Sequence, residues 1–171
     1  KAYEEHIKRD FYMKHPQCSG KRIIMFAPTF RGDDRKNAYY PMEQFELQHL
    51  LEHIAKDYIV IIKHHPFVKK HHPIPEMYKD RVLDLSRDSE INDLLFVTDV
   101  LITDYSSVVY EASLLDIPMV FYTFDLKEYI QDRDFYSHYE SFVPGRICYT
   151  LEELEQVIVT ESYKHEKVKQ F

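Results

Sequence analysis

Two adjacent serines, Ser106 and Ser107, follow the apolar run Val100–Thr103. The run predicts a buried strand, and the apolar spacing after the serines predicts a helix, so both hydroxyls lie at a strand-to-helix junction. The first N–H groups of a helix lack internal partners and carry partial positive charge, which favours an anion such as a phosphate. Glu111 lies one helical turn beyond Ser107, where a carboxylate can accept hydrogen bonds from ribose hydroxyls. The pattern is therefore suited to a nucleotide.

The same residue types are also ordinary helix caps. A serine cap contributes about 1 kcal/mol, and a glutamate on a helix is commonly solvated. Residue types alone leave capping and nucleotide binding both open. The chain has three glycines, Gly20, Gly32 and Gly145, and they form no dinucleotide fingerprint. An NAD-binding or P-loop site is therefore disfavoured.

Polar and basic residues also follow three other predicted strands. These segments are Thr29–Arg31, Lys63–Pro66 and Tyr122–Leu126. Because the carboxyl ends of parallel strands meet at one edge of a sheet, we expect the segments to share a site with the serines. Their guanidinium, ammonium, imidazole and hydroxyl groups suit a pyrophosphate. Arg31 and Lys63 fit a solvated loop or a strand end equally well. His64 and His65 alternate, so at most one faces the cleft if the strand continues.

The histidines of this region also raise the question of a metal. Four of them lie close together, at His64, His65, His71 and His72. They lack the spacing of a zinc motif, and the Lys69–Lys70 pair between them repels a cation. We therefore expect no metal and no cofactor.

Composition limits the function classes. The 171 residues, 44% of them hydrophobic and 30% charged, predict one soluble globular domain. A formal net charge of -7 argues against nucleic-acid binding, which requires a basic face. Cys18 and Cys148 form no framework pattern, so free thiols in a reducing cytosol are expected. No apolar run reaches the roughly 20 residues of a membrane span.

Strand and helix patterns alternate along the chain. Strands are predicted at 22–27, 58–62, 82–85, 100–103, 117–122 and 146–149. Helices are predicted at 2–14, 42–56, from a Ser89 cap through 95, at 107–115, at 125–131, and from a Thr150 capping box to about 168. This alternation predicts an α/β fold with a doubly wound parallel sheet.

Five ordered motifs carry a family resemblance. They are Phe26–Arg31, Lys63–Pro66, Thr103–Val108, Pro118–Leu126 and Pro144–Gly145. In order and spacing they closely resemble the CDP-glycerol glycerophosphotransferases, the teichoic-acid primases and polymerases of Gram-positive bacteria, with ribitol-phosphate transferases as near relatives. The resemblance covers roughly residues 22–158. Asp134 is a departure, because the family often has glycine there.

The resemblance implies a GT-B architecture of two Rossmann-like halves, of which this chain is the C-terminal, CDP-binding one. Residues 1–171 are then a single nucleotide-binding domain, with a connecting helix and linker at 1–20 and a C-terminal helix at 150–171. The N-terminal half, its acceptor site and a histidine base are absent, so we expect weak donor binding and no turnover by this chain alone. The expected location is cytoplasmic, peripheral on the inner face of the membrane in the full-length protein.

The implied reaction transfers glycerol phosphate from CDP-glycerol to a hydroxyl of a lipid-linked teichoic acid acceptor and releases CMP. The implied donor-binding residues are Thr29, Arg31, His65, Ser106, Ser107 and Glu111, with the serines on the pyrophosphate and the glutamate on the ribose. His65, Lys63 and Arg31 are assigned the electrostatic part of catalysis. The alternatives are a CDP-ribitol-dependent transferase, a UDP-sugar-dependent GT-B half and a non-catalytic nucleotide-binding module.

Overall fold

A six-stranded sheet forms the centre of the computed structural model, which describes residues 1–130 and 133–171, the side chains of 133–136 excepted. The strands are β1 Arg22–Phe26, β2 Tyr58–Ile62, β3 Val82–Asp84, β4 Val100–Thr103, β5 Met119–Tyr122 and β6 Arg146–Cys148. Their order is β3-β2-β1-β4-β5-β6, and every described pairing is parallel. The predicted doubly wound, Rossmann-like α/β fold is confirmed.

Helices precede, connect and follow these strands. They are α1 Ala2–Lys14, α2 Leu47–His53, α3 Ile91–Leu95, α4 Val108–Leu114, α5 Leu126–Tyr129, α6 Arg133–Phe142, α7 Leu151–Thr160 and α8 Glu166–Gln170. Short 3-10 turns lie at Pro16–Cys18, Met42–Gln44 and Glu76–Tyr78. No helix of the described ranges is long and apolar enough to cross a membrane.

The central strands are apolar on both sides because helices cover both faces of the sheet. Along β1, Ile23 and Met25 belong to one buried cluster, whereas Ile24 and Phe26 belong to the other. All five residues of β2 are buried. The continuous apolar runs in the sequence are therefore explained by a sheet lying between two cores.

The helix predicted at 42–56 is interrupted in the structure. Glu46 has a left-handed backbone (φ 40°), which separates the 3-10 turn Met42–Gln44 from α2. The hydroxyl of Tyr122 donates to the carbonyl of Gln44. In a continuous helix the Gln44 carbonyl would accept a backbone hydrogen bond, but here it accepts one from a distant side chain. The prediction of a single helix was wrong.

The C-terminal helix starts as predicted but ends early. The Thr150 hydroxyl accepts a hydrogen bond from the Glu153 N–H at 3.2 Å, and the Glu153 carboxylate accepts one from the Tyr149 N–H at 2.9 Å. The predicted Thr150 cap is confirmed, whereas the Glu153 carboxylate bonds the N–H one residue before the cap instead of that of Thr150, so the capping box is only half formed. Glu161 then adopts a left-handed backbone (φ 53°), which ends α7 at Thr160, well before the predicted 168.

Two further helices differ from the predictions, and two predicted features fall outside the part of the chain that the structure describes. Glu90, not Ser89, is the residue preceding α3, and it makes no side-chain capping bond. The sequence reading missed α6 altogether. The predicted end of the 125–131 helix at Gln131 and the side chain of Asp134 lie outside the described residues.

Candidate functional site

A cavity of about 300 Å³ opens at the carboxyl edge of the sheet, beside the neighbouring strands β1 and β4. The chain leaves these two strands toward opposite sides of the sheet, the usual position of a ligand crevice in such folds. Six of the predicted site residues line the cavity: Thr29, Lys63, His65, Ser106, Ser107 and Glu111. These six residues come from three connections, which follow β1, β2 and β4, and Glu90, Ile91 and Asn92 add the connection after β3 to the lining of one hollow of ligand size.

The two serines differ in what they do within the fold. The Ser106 hydroxyl accepts a hydrogen bond from the Val108 N–H at 3.2 Å and so caps α4. Ser107 is exposed, occupies the residue before the helix and makes no side-chain capping bond. Glu111 is also exposed, one turn further along α4. Capping therefore accounts for Ser106 and leaves the Ser107 hydroxyl and the Glu111 carboxylate directed to the solvent-filled edge.

Lys63 and His65 approach the cavity from the loop after β2. The Lys63 ammonium donates to the Ser86 carbonyl at 2.8 Å, and burial lowers its pKa. The His65 ring packs against both Phe30 and Phe67, with ring centroids 4.8 and 4.6 Å away. These contacts hold a cation and an imidazole in fixed positions at the rim.

One hydrogen bond settles which nitrogen of neutral His65 carries the proton. Its Nδ1 accepts from the Phe67 N–H at 3.1 Å, so the proton of the neutral ring is on Nε2. Burial lowers the pKa of His65, which favours this neutral form. His65 can therefore offer an Nε2–H donor to a ligand.

The sequence predicted that at most one of His64 and His65 faces the cleft if the strand continues. The structure differs from this prediction. Both residues line the cavity, although His64 is only 3% exposed. Its backbone N–H donates to the Ser86 hydroxyl at 2.9 Å, while its Nδ1 has no hydrogen-bond partner in the described structure. Burial lowers the pKa of His64 to about 4, so the ring is neutral at pH 7.

Arg31 lies apart from the other predicted residues. It is absent from the cavity lining and is instead 8% exposed, held between Asp125 and Asp104. Its Nε and Nη2 donate to Asp125 at 2.6 and 3.1 Å, and Nη2 also donates to Asp104 at 3.0 Å. Arg31 therefore lies outside this cavity lining, where buried Asp104 and partly buried Asp125 engage its guanidinium, and its role in donor binding stays a prediction.

Asp104 is the centre of this buried network. Its Oδ1 accepts from the N–H and hydroxyl of Thr29, both at 2.8 Å, and from the Tyr105 N–H at 2.7 Å. Burial raises the pKa of Asp104, and Arg31 and these donors oppose that rise. The network joins the loops after β1, β4 and β5 and fixes Thr29 at the cavity wall.

Sequence reasoning missed Asp104 and Asp125 as the partners of Arg31. The available signal was that Asp104 directly follows β4 and Asp125 lies three residues after the end of β5, at the edge where Arg31 also lies. The loop histidines likewise have structural partners: His71 contacts Asp84 at 2.8 Å and the Val68 carbonyl at 3.0 Å.

Comparison with known proteins identifies the chain. The family model described as CDP-Glycerol:Poly(glycerophosphate) glycerophosphotransferase matches residues 3–171. The chain belongs to this glycerophosphotransferase family. The resemblance seen in the five sequence motifs is thereby confirmed.

Curated relatives of this glycerophosphotransferase-family chain are teichoic acid polymerases and primases. It is 42% identical over 170 residues to the teichoic acid poly(ribitol-phosphate) polymerase of Bacillus spizizenii, covering 99% of this chain and 28% of the relative. It is 44% identical over 168 residues to the ribitol-phosphate polymerase TarL of Staphylococcus aureus, covering 98% and 30%. It is 39% identical over 151 residues to the teichoic acid glycerol-phosphate primase of Bacillus subtilis, covering 88% and 38%. The chain thus spans about a third of the length of these relatives.

A solved structure of the wall teichoic acid polymerase TagF has the same fold. Its match to this family member has a TM-score of 0.78 and 26% identity, covering 99% of this chain and 41% of TagF. The sheet and its flanking helices are therefore a segment of a larger enzyme architecture in that relative.

Proposed function

We propose that this chain is the donor-binding domain of a teichoic acid polyol-phosphate transferase that uses CDP-glycerol. The observation that carries the proposal is the convergence of Thr29, Lys63, His65, Ser107 and Glu111 on one cavity in a chain of this family. These side chains combine cationic, hydroxyl and carboxylate groups, which suit a diphosphate joined to a ribose.

In the proposed reaction an acceptor hydroxyl oxygen attacks the β-phosphorus of CDP-glycerol. A new P–O bond forms to the acceptor, the bond to the bridging oxygen breaks, and that oxygen leaves with CMP. The acceptor proton passes to a base, which we place in an N-terminal half of the same polypeptide. Catalysis of this kind depends mainly on positioning and on stabilising negative charge.

The described residues have distinct proposed tasks. Lys63 and the Nε2–H of His65 stabilise the charge that develops on the leaving phosphate. Ser107, with Ser106 behind it, holds the diphosphate, and Glu111 binds the ribose hydroxyls. Arg31 acts indirectly, because its ion pairs with Asp104 and Asp125 position the loop that carries Thr29. The proposal includes no metal or cofactor in the transfer.

The remaining partners are also proposals. The acceptor is a lipid-linked teichoic acid chain, which requires the full-length protein to work in the cytoplasm at the inner face of the membrane. CDP-ribitol is a second candidate donor, because the B. spizizenii and S. aureus relatives at 42% and 44% identity are ribitol-phosphate polymerases. The two donors share the CDP group, so the cavity described here suits both.

Isothermal titration of this chain with CDP-glycerol, CDP-ribitol, CMP and a UDP-sugar tests the donor class. We expect both CDP-polyols to bind at least about tenfold more tightly than the UDP-sugar, a difference of about 1.4 kcal/mol. Glu111→Gln weakens binding of both CDP-polyols, whereas Glu5→Gln, an exposed charge on α1, leaves it unchanged. Preference for the UDP-sugar would overturn the proposal.

Turnover separates a transferase domain from a binding module. The chain is joined to the N-terminal half of a teichoic acid polymerase of this family, and CMP release is measured with each CDP-polyol and an acceptor. Release with one donor identifies the polyol. Tight CDP-polyol binding without CMP release in the joined protein would instead favour a non-catalytic module.

A further inference from the structure

Two histidines and a buried glutamate face one another on the side of the sheet where α2 and α7 pack. His49 and His53 lie one turn apart on α2, and Glu155 lies in the middle of α7. One potential ligand atom from each residue lies within 4.8 Å of the other two. None of the three lines the cavity described above, so the cluster is a separate feature of the molecule.

Glu155 is the unusual member of this cluster. It is 9% exposed, yet its Oε1 has no hydrogen-bond partner in the described structure. A buried carboxylate oxygen without a donor is unfavourable, and native structures rarely keep one without a compensating partner. The nearest group is His49, whose Nε2 lies 3.1 Å from Oε1 at ion-pair distance but without hydrogen-bond geometry.

The geometry of both histidines fits metal ligation. Two ligand atoms bound to one ion at about 2.0–2.1 Å lie roughly 3 Å apart, close to the separation of His49 Nε2 and Glu155 Oε1. The Nδ1–H of His53 donates to the His49 carbonyl at 2.7 Å, which leaves the lone pair on Nε2. Metal-binding histidines commonly use their second nitrogen in this way. In the structure it is the Nδ1 of His53 that lies 3.8 Å from Glu155 Oε1, so the ring, whose side chain is 50% exposed, has to turn to present Nε2 to an ion held by the other two residues.

We propose that His49, His53 and Glu155 bind one divalent transition-metal ion of the Zn²⁺ class. Two imidazole nitrogens and a carboxylate suit Zn²⁺, Ni²⁺ or Cu²⁺, whereas Mg²⁺ and Ca²⁺ prefer oxygen ligands alone. The half-exposed histidines leave the remaining coordination positions to water. Because the ligands come from two helices, the bound ion links α2 to α7.

Titration of the metal-free chain without a polyhistidine tag tests the site, with Zn²⁺ competed against a chromophoric chelator. We expect one equivalent to bind, and His49→Gln, His53→Gln and Glu155→Gln each to weaken binding by at least about tenfold. His6→Gln, on α1, is the matched control and retains wild-type affinity. Co²⁺ supplies a spectroscopic readout, since its visible absorption reports the ligand set directly.

The variants also separate this cluster from the other histidines. Binding that persists in His53→Gln but is lost in His71→Gln would overturn the proposal, as would the lack of saturable binding in the wild-type chain. Glu155 is buried, so its variant is compared by circular dichroism before the titration. His53 is half exposed, and its replacement therefore tests the site with the fold preserved.

Discussion

Arg31 and Asp125 form a two-point ion pair, with Nε 2.6 Å from Oδ2 and Nη2 3.1 Å from Oδ1. The pair joins the loop after β1 to the start of α5, and the second carboxylate on the guanidinium, Asp104, follows β4. Tyr105 adds a hydroxyl donor to Asp125 at 3.0 Å. Three connections at the carboxyl edge are thus joined through one side chain, which makes the edge a preformed surface.

Replacing Arg31 by Met tests how much this network stabilises the fold. The change leaves two largely buried carboxylates without their cation, and we expect a loss of about 3–5 kcal/mol in the free energy of unfolding. Urea denaturation measures it. Arg22→Met is the control: Arg22 also pairs with two acids, Asp57 and Glu161, but its side chain is 40% exposed, so about 1 kcal/mol or less is expected. Equal losses in both variants would contradict the assigned role of Arg31.

The neighbouring serines should separate stability from binding. Ser106→Ala removes the acceptor for the Val108 N–H, and we expect a loss of about 0.5–2 kcal/mol in the free energy of unfolding. Ser107→Ala removes no described capping bond, so we expect a change within about 0.5 kcal/mol. Its affinity for a CDP-polyol should instead fall severalfold, as titration calorimetry can show. Unchanged affinity in Ser107→Ala would remove that hydroxyl from the binding site.

The sequence predicted the sheet because each central strand is a continuous apolar run, which only a sheet covered on both faces accommodates. It also predicted that Ser107, Glu111, Lys63 and His65 approach one edge, since parallel strands place their carboxyl ends together. Local patterns gave no information on long-range partners. The role of Arg31 depends on acids 73 and 94 residues away.

The same limit explains the misplaced helix ends. The interruption before α2 follows from a contact between Gln44 and Tyr122, and the early end of α7 follows from the left-handed backbone at Glu161. Glutamine and glutamate are both good helix formers. The residue types at these two positions therefore do not signal the end of a helix. A tertiary contact therefore accounts for the first boundary, whereas the second is set by a local backbone conformation that the residue type does not signal.

Buried His64 should make stability depend on pH in the weakly acidic range. Its pKa is lowered to about 4 by burial, below the ordinary value of about 6.5 for an unfolded chain. The unfolded state therefore binds more protons between these values, and stability present above pH 6.5 is lost as pH falls toward 4. The expected contribution of this one group is roughly 3 kcal/mol. Urea unfolding of wild type and His64→Leu across this range should give a smaller slope for the variant.

A matched variant tests whether that slope belongs to His64. His6 is an exposed histidine on α1, so His6→Leu should keep the wild-type dependence on pH. A slope in His64→Leu equal to that of wild type would assign the acid sensitivity to other groups.

His65 offers the sharpest test of the transfer step, because its two nitrogens have different tasks. Nδ1 accepts from the Phe67 N–H, and Nε2–H is the group available to a phosphate. Asparagine keeps an acceptor near the Nδ1 position and loses the outer donor, whereas the amide nitrogen of glutamine reaches close to the Nε2 position. In the protein joined to an N-terminal half, we expect kcat to fall by about 10²–10³ in His65→Asn. His65→Gln should retain more of it.

The affinity for cytidine, measured by titration of the same variants, distinguishes catalysis from folding. Cytidine carries neither phosphate, so its binding does not depend on the outer donor, and we expect both variants to bind it nearly as wild type does. If Asn and Gln lower kcat equally, the Nε2–H contributes nothing specific, and the role of His65 reduces to its packing against Phe30 and Phe67. A larger loss of kcat in Asn than in Gln, at constant cytidine affinity, follows only if that proton is placed at the leaving phosphate.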